Sequence, residues 1–286
     1  MTDARTVSEL LAEATKQLAD VGVDQPRLDA RLLLAYAMGF SDNHVYGREN
    51  LIPDTAAATR FEVALKRRLE REPVSRILGR REFWTLDLRV TPETLDPRSD
   101  SETLIEAVLA TFLDPAAELR VLDLGTGTSA LLLAVLTEYR NATGVGVDQS
   151  AECIQTARHN AELCGLTKRA RFTQSDWDAS LNGIFDVILC NPPYIPASEI
   201  VDLDPEVQKF DPKVALIGGE DGLKYYRALG PVFMRRLSVN GRIFLEIGHS
   251  QLKSVIRLMR EAGFECSAIR KDLAGHDRCL VLKVRS

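Results

Sequence analysis

Along the first part of the chain, apolar residues recur at helical spacing. Thr6 and Glu9 make a T-x-x-E capping box ahead of Leu10, Leu11, Ala14 and Leu18, which predicts a first amphipathic helix. A second is predicted from Pro26 to Met38, with proline near its start and Gly39 just past its end. A third comes after Pro53 and Asp54 and runs through Leu65 and Leu69. Residues 1 to about 80 therefore read as a small bundle of three or four short helices with polar connections. The period then changes: Trp84, Leu86, Leu88 and Val90 alternate with Thr85, Asp87 and Arg89, predicting a half-buried strand within a hairpin that joins the helical region to the rest of the chain. From about residue 118 short apolar runs at Val121–Leu124, Val145–Val147, Val187–Cys190 and Ile243–Ile247 alternate with helical patterns such as Ala151–Leu163 and Tyr225–Leu237. That alternation predicts an α/β domain with a mostly parallel sheet. There is no internal repeat and no low-complexity segment.

Composition narrows the class. The 286 residues are 45% hydrophobic and 27% charged, as in an ordinary globular protein, and allow one large domain or a large and a small one. A net charge of −5 argues against a protein that coats a nucleic acid backbone, and no direct nucleic acid partner is expected. The stretch Lys66, Arg67, Arg68, Arg71, Arg76, Arg80 and Arg81 reads either as a patch for an acidic partner or as a solvated helix face with Glu62, Glu70 and Glu72 interspersed; the second is the preferred reading. Five cysteines without CxxC spacing predict reduced thiols, and the scattered His44, His159, His249 and His276 form no metal-ligand pattern. The N-terminal stretch lacks the features of a signal peptide, and no run of about 18 apolar residues exists to span a membrane, so a cytoplasmic location is expected.

The chemistry concentrates in two turns. The first strand of the α/β region ends in Asp123-Leu124-Gly125-Thr126-Gly127-Thr128-Ser129, where glycines let the backbone turn tightly and approach a ligand. The second ends at Asp148, a carboxylate suited to accept both hydroxyls of a ribose. Read through Gly125, Gly127 and Ala130, the turn also fits the fingerprint of a nicotinamide dinucleotide domain. Asp123 favours a cationic sulfonium ligand instead, because a pyrophosphate has no use for a carboxylate there. After the strand Ala170–Thr173, Asp176 is placed to meet an adenine amino group and Trp177 to offer a flat apolar face.

The second turn is Asn191-Pro192-Pro193-Tyr194, directly after the strand ending at Cys190. Two prolines remove two backbone donors and stiffen the loop. A carboxamide beside free carbonyls makes a rigid set of acceptors for the two hydrogens of an –NH₂ group, while Tyr194 packs on its planar face. An amide or aromatic amino nitrogen is a poor nucleophile, and such a clamp favours its pyramidalisation and in-line approach to an electrophilic methyl; orientation of this kind is worth up to about 7–11 kcal/mol. No His or Glu stands beside the tetrapeptide in the sequence, in keeping with proton loss after transfer rather than before it. A flipped adenine or guanine amino group would fit the clamp as well as an amide does.

These residues resemble the HemK/PrmC family of peptide chain release factor glutamine methyltransferases over nearly the whole chain. The resemblance is carried by Glu72-Pro73-Val74 with Ile77-Leu78-Gly79, Arg81-Glu82-Phe83-Trp84, Val90-Thr91-Pro92-Glu93-Thr94-Leu95 with Pro97-Arg98, and the two turns. Gly218-Gly219-Glu220-Asp221-Gly222, Leu245-Glu246-Ile247-Gly248-His249 and Asp272-Leu273-Ala274-Gly275-His276-Asp277-Arg278 complete it. It implies a helical substrate-recognition domain over residues 1–80, a β-hairpin linker over 81–100, and a Rossmann-like seven-stranded class I methyltransferase domain over 101–286. It further implies S-adenosylmethionine as cofactor, held by Gly125 to Ser129, Asp148, Trp177 and Asn191. The implied substrate is the glutamine of the Gly-Gly-Gln loop of class-1 release factors, held by Asn191, Pro192, Pro193 and Tyr194. The chain departs from the family at Ser129, where glycine is usual, and at Ser99, where proline is usual.

Overall fold

The computed structural model describes residues 5–40, 45 and 47–285; residues 1–4 and His44 lie outside them. The chain divides into two compact units, residues 1–79 with 204–210, and residues 80–203 with 211–286.

The first unit is helical: α1 (Val7–Asp20), α2 (Pro26–Ala37), α3 (Thr55–Leu69) and α4 (Val74–Leu78). The expected capping box forms, with the Glu9 N–H donating to Thr6 Oγ1 and the Thr6 N–H donating to Glu9 Oε2 at 2.8 Å. The apolar faces of α1 to α3 meet in a core that includes Leu18, Leu33, Leu34 and Phe61. The basic stretch does not form one free patch. Arg68, only 6% exposed, donates to Asp29 Oδ2 at 2.7 Å, and Arg68 and Arg71 both donate to Glu206, while Arg67 pairs with Glu72. Glu206 belongs to this unit through the segment 204–210, and Arg68 and Arg71 place two guanidinium groups on its one carboxylate.

The second unit opens with a hairpin, β1 (Arg80–Phe83) and β2 (Leu86–Arg89), paired from Arg80↔Arg89 to Phe83↔Leu86. The alternation through Trp84 is therefore not one strand: Trp84 occupies the tight turn at φ +56°, and only Leu86 to Arg89 continue as strand. Periodicity cannot separate the two, because a two-residue turn preserves the inside–outside alternation. Trp84 docks the hairpin through its N–H to Glu102 and its indole Nε1 to Glu138, at 2.7 and 2.6 Å.

The remaining elements are α5 (Glu102–Thr111), β3 (Arg120–Leu124), α6 (Ala130–Glu138), β4 (Thr143–Asp148), α7 (Ala151–Leu163), β5 (Ala170–Gln174), β6 (Phe185–Cys190), α8 (Pro205–Phe210, in the first unit), α9 (Lys224–Arg236), β7 (Leu237–Glu246), α10 (Leu252–Glu261), β8 (Phe264–Lys271) and β9 (Asp277–Val284). The seven strands β3 to β9 form one sheet in the order β5-β4-β3-β6-β7-β9-β8. The first five are parallel; β9 runs antiparallel to β7, and β8, antiparallel to β9, returns to the direction of the first five. Core side chains cover both faces, which is why the central strands β3 and β6 read as short, mostly apolar runs. No helix among the described residues is long and apolar enough to cross a membrane.

At Gly146 in β4, a Cβ would lie 2.8 Å from both Phe172 Cδ1 and Thr126 Oγ1. Glycine here allows the strand to approach its neighbours. Gly146→Val should destabilise the protein by about 1–3 kcal/mol through overpacking, measured by denaturant unfolding.

Candidate active site

Strand order reverses at β3, which lies between β4 and β6. In an open parallel sheet the connections diverge there and leave a crevice at the carboxyl ends of the strands. The turns after β3, β4, β5 and β6 all open onto one cavity, lined by Gly125, Gly127, Asp148, Asp176, Trp177, Asn191, Pro192 and Pro193. Four turns well separated in sequence thus face a common volume. Glu93, Cys153 and Tyr225 also belong to its wall, and the Tyr225 ring meets Trp177 edge-on at 5.7 Å between centroids. The charged groups of this lining are all acidic, Glu93, Asp148 and Asp176, with no Lys or Arg among them.

The glycine turn is anchored from behind. The N–H groups of Gly125 and Thr126 both donate to the Val147 carbonyl, and the Gly127 N–H donates to Asp148 Oδ2 at 3.0 Å. Asp148 Oδ1 accepts from the Ser150 N–H, so the carboxylate is oriented by its own turn. Gly125 and Gly127 have φ of +74° and +50°, and a Cβ built on either meets no atom within 4 Å, so both present bare backbone to open space. Asp123, Thr126, Thr128 and Ser129 do not line the cavity; they support the turn. Asp123 is buried and accepts from Thr126 Oγ1 at 2.6 Å. Burial pushes its carboxyl up to about 7, opposed by the Thr126 hydrogen bond and reinforced by the charge of Asp148. Asn160, which sequence reading missed, is fully buried and donates to the carbonyls of Thr128 and Arg89, linking the turn to the hairpin.

The tetrapeptide is held along its whole length. Gln251 Nε2 donates to the Tyr194 carbonyl at 2.8 Å. Ile195 and Ile217 form a parallel bridge, and a Cβ on Gly218 would lie 2.8 Å from the Pro193 carbonyl oxygen and from Tyr194 Cα. The Gly-Gly-Glu-Asp-Gly segment is thus a backbone-to-backbone buttress. Contrary to the sequence reading, a glutamate does stand beside the clamp, brought there by β7 from far along the chain. Glu246 Oε2 accepts from Ser101 Oγ at 2.6 Å and Oε1 from the Tyr194 hydroxyl at 3.2 Å; Ser101 Oγ in turn accepts from Asn191 Nδ2 at 3.2 Å. Burial raises Glu246 to about 7, against the Ser101 hydrogen bond, the charge of Arg278 and the Tyr194 hydrogen bond. Tyr194 itself points to Glu246 and is not part of the cavity lining.

The two regions also match known families separately: residues 9–79 the PrmC N-terminal domain, and residues 115–216 a methyltransferase domain. The release factor glutamine methyltransferase of Rhodospirillum rubrum is 42% identical over 283 residues, covering 99% of this chain and 86% of that protein. That of Agrobacterium fabrum is 42% identical and covers 98% of each. The chain belongs to the release factor glutamine methyltransferase family. A more distant member, from Moorella thermoacetica, is 38% identical over 96% of this chain and 98% of that protein. The Rossmann-like methyltransferase fold recurs in the Thermus thermophilus 16S rRNA N2 G1207 methyltransferase in complex with AdoMet and guanosine, at 23% identity and a TM-score of 0.50 over 72% of this chain and 50% of that one.

In this family member the departure at Ser129 has a structural cost. Ser129 adopts φ +67°, the left-handed region that favours glycine, and its buried hydroxyl has no hydrogen-bond partner. Ser129→Gly should raise stability by about 1 kcal/mol, seen as a higher Tm. The two buried carboxyls give a second expectation. Each has its folded value raised to about 7, so the folded state holds protons that the unfolded chain releases. Their contribution to stability is full below the ordinary carboxylate range and is lost as pH rises through about 7. Asp123→Asn should therefore flatten the fall of Tm between about pH 4 and pH 7.

Proposed function

We propose that this protein transfers a methyl group from S-adenosylmethionine to the side-chain amide nitrogen of the glutamine in the Gly-Gly-Gln loop of class-1 peptide chain release factors. The observation that carries this reading is a single cavity shared by Asn191 to Pro193, the glycine turn and Asp148, with only carboxylates among its charged lining groups. The residues suit the cofactor. Bare backbone at Gly125 and Gly127 leaves room for a ligand to lie against it. The oriented Asp148 carboxylate keeps acceptor capacity for ribose hydroxyls, and Trp177 and Tyr225 offer aromatic surface to an adenine. Glu93 and Asp176 add negative potential favourable to a cation. The same lining disfavours a nicotinamide dinucleotide, whose pyrophosphate would meet carboxylates and no basic side chain.

Bound there, S-adenosylmethionine supplies an electrophilic methyl group. The protein's own residues do the rest by position. The Asn191 carboxamide, with Nδ2 engaged by Ser101, keeps Oδ1 as an acceptor, and the rigid Pro192–Pro193 backbone holds carbonyl acceptors beside it. Together they can hold both hydrogens of a primary amide and fix the direction of its nitrogen lone pair. Preorganised dipoles of this kind need no rearrangement during transfer. The resemblance over residues 9–79 supports release factor recognition by the helical unit.

With labelled S-adenosylmethionine, the purified protein should methylate an intact class-1 release factor and not its loop Gln→Ala variant. Asn191→Ala should lower the rate about 10²-fold or more. Labelling of RNA or DNA without labelling of the release factor would contradict the assignment.

A further inference from the structure

We infer that Ser101 and Glu246 are positioning residues for methyl transfer: they form a one-way hydrogen-bond relay that turns the Asn191 carboxamide so that its oxygen, not its nitrogen, is offered to the acceptor amide. The relay rests on the methyl-transfer reading and adds to it two residues that act through Asn191.

The direction of the relay comes from donor and acceptor capacity. An ionised carboxylate only accepts hydrogen bonds. With Glu246 ionised, the single hydroxyl hydrogen of Ser101 is taken by Glu246 Oε2 at 2.6 Å. Ser101 Oγ then has only lone pairs to offer, so the Asn191 atom 3.2 Å away must be Nδ2. Oδ1 is left as the acceptor. Nothing else in the Asn191 side chain would distinguish its two ends, which are nearly the same shape. Ser101 and Glu246 are 4% and 1% exposed, so water does not compete for these bonds. The other carboxylate oxygen accepts from the Tyr194 hydroxyl. One buried carboxylate thus secures both ends of the tetrapeptide, Asn191 through Ser101 and Tyr194 directly.

Protonation of Glu246 reverses the logic. A neutral carboxyl can donate to Ser101 Oγ, whose hydrogen is then free to turn to Asn191. The flipped carboxamide would be permitted, presenting –NH₂ to a substrate –NH₂. The titratable and charged groups facing Glu246 are Arg278 and Cys279 of β9, Asp100 beside Ser101, Tyr194, Tyr226 of α9 and Cys190 of β6. Of these Arg278 and Tyr194 favour the ionised form, while burial and Asp100 oppose it.

The test uses the full-length protein, a class-1 release factor and saturating S-adenosylmethionine, and Glu246→Gln separates the titration of Glu246 from that of Asp123, which is also raised to about 7. Ser101→Ala should lower kcat about tenfold or more, the scale of one misdirected hydrogen bond, with S-adenosylhomocysteine affinity unchanged. The wild-type kcat should rise as pH passes through about 7, and this limb should be absent in Glu246→Gln. A second readout needs no release factor: the Asn191 side-chain amide signal in ¹⁵N-asparagine-labelled protein, assigned by its loss in Asn191→Ala. It should titrate in the wild type with the midpoint of the kcat limb and should not titrate in Ser101→Ala. Wild-type kcat and pH profile retained by Ser101→Ala, or an unchanged Asn191 titration in that variant, would overturn the relay. If the wild type methylates no release factor, the functional assignment fails, while the Asn191 titration still decides the relay.

Discussion

A sheet whose strand order reverses at β3 must send its neighbouring connections to opposite faces, and the gap this leaves is where the glycine turn, Asp148, Trp177 and Asn191 meet. The glycine turn comes after β3, Asp148 ends β4, Trp177 lies just past β5 and Asn191 just past β6. None of these residues reaches the cavity by a long flexible loop. Each is placed by the last residue of a strand whose own pairing register is set by its neighbours, such as Leu124↔Val147 and Leu124↔Cys190. Sites carried on strand ends inherit the rigidity of the sheet, which is what an amide nitrogen of low nucleophilicity requires.

Around that crevice a second layer of contacts converts position into chemistry. Gln251 and the glycines at 218 and 222 hold the backbone of the tetrapeptide, and Glu246 holds its two ends. Asn160 and the hairpin hold the glycine turn. The buried carboxyls of Asp123 and Glu246 are electrostatically costly in isolation, with burial raising both. They sit behind the two turns that the cofactor and the acceptor amide are proposed to use, Asp123 bonded to Thr126 and Glu246 to Ser101 and Tyr194.

The local features of the fold were legible because their signals are local. The capping box at Thr6 and Glu9, the helix over residues 151–163 and the strand Val187–Cys190 each rest on a few neighbouring side chains. The glycine turn and the tetrapeptide carry their chemistry in consecutive residues, and the structure brings Gly125, Gly127, Asp148, Asp176, Trp177 and Asn191 to Pro193 to one cavity. What stayed hidden depends on contacts distant in sequence. Ser101 gave no sign of meeting Glu246, 145 residues on. Asn160 lies within a helix that reads as ordinarily amphipathic. Trp84 keeps the alternation of a strand while forming its turn. Strands β8 and β9 were also obscure: β8 is largely exposed and reads as polar, so its alternation is weak. The raised value of Asp123 belongs to the same class, since desolvation is set by the whole fold rather than by the sequence around it.

The most direct measurement locates the transferred methyl group. A class-1 release factor incubated with the protein and S-adenosylmethionine, digested and fragmented in a mass spectrometer, should gain one methyl group confined to the side-chain amide of the loop glutamine. The same mass gain on another residue, or none while nucleic acid is methylated, would contradict the account of the Asn191 clamp as a holder of a glutamine amide.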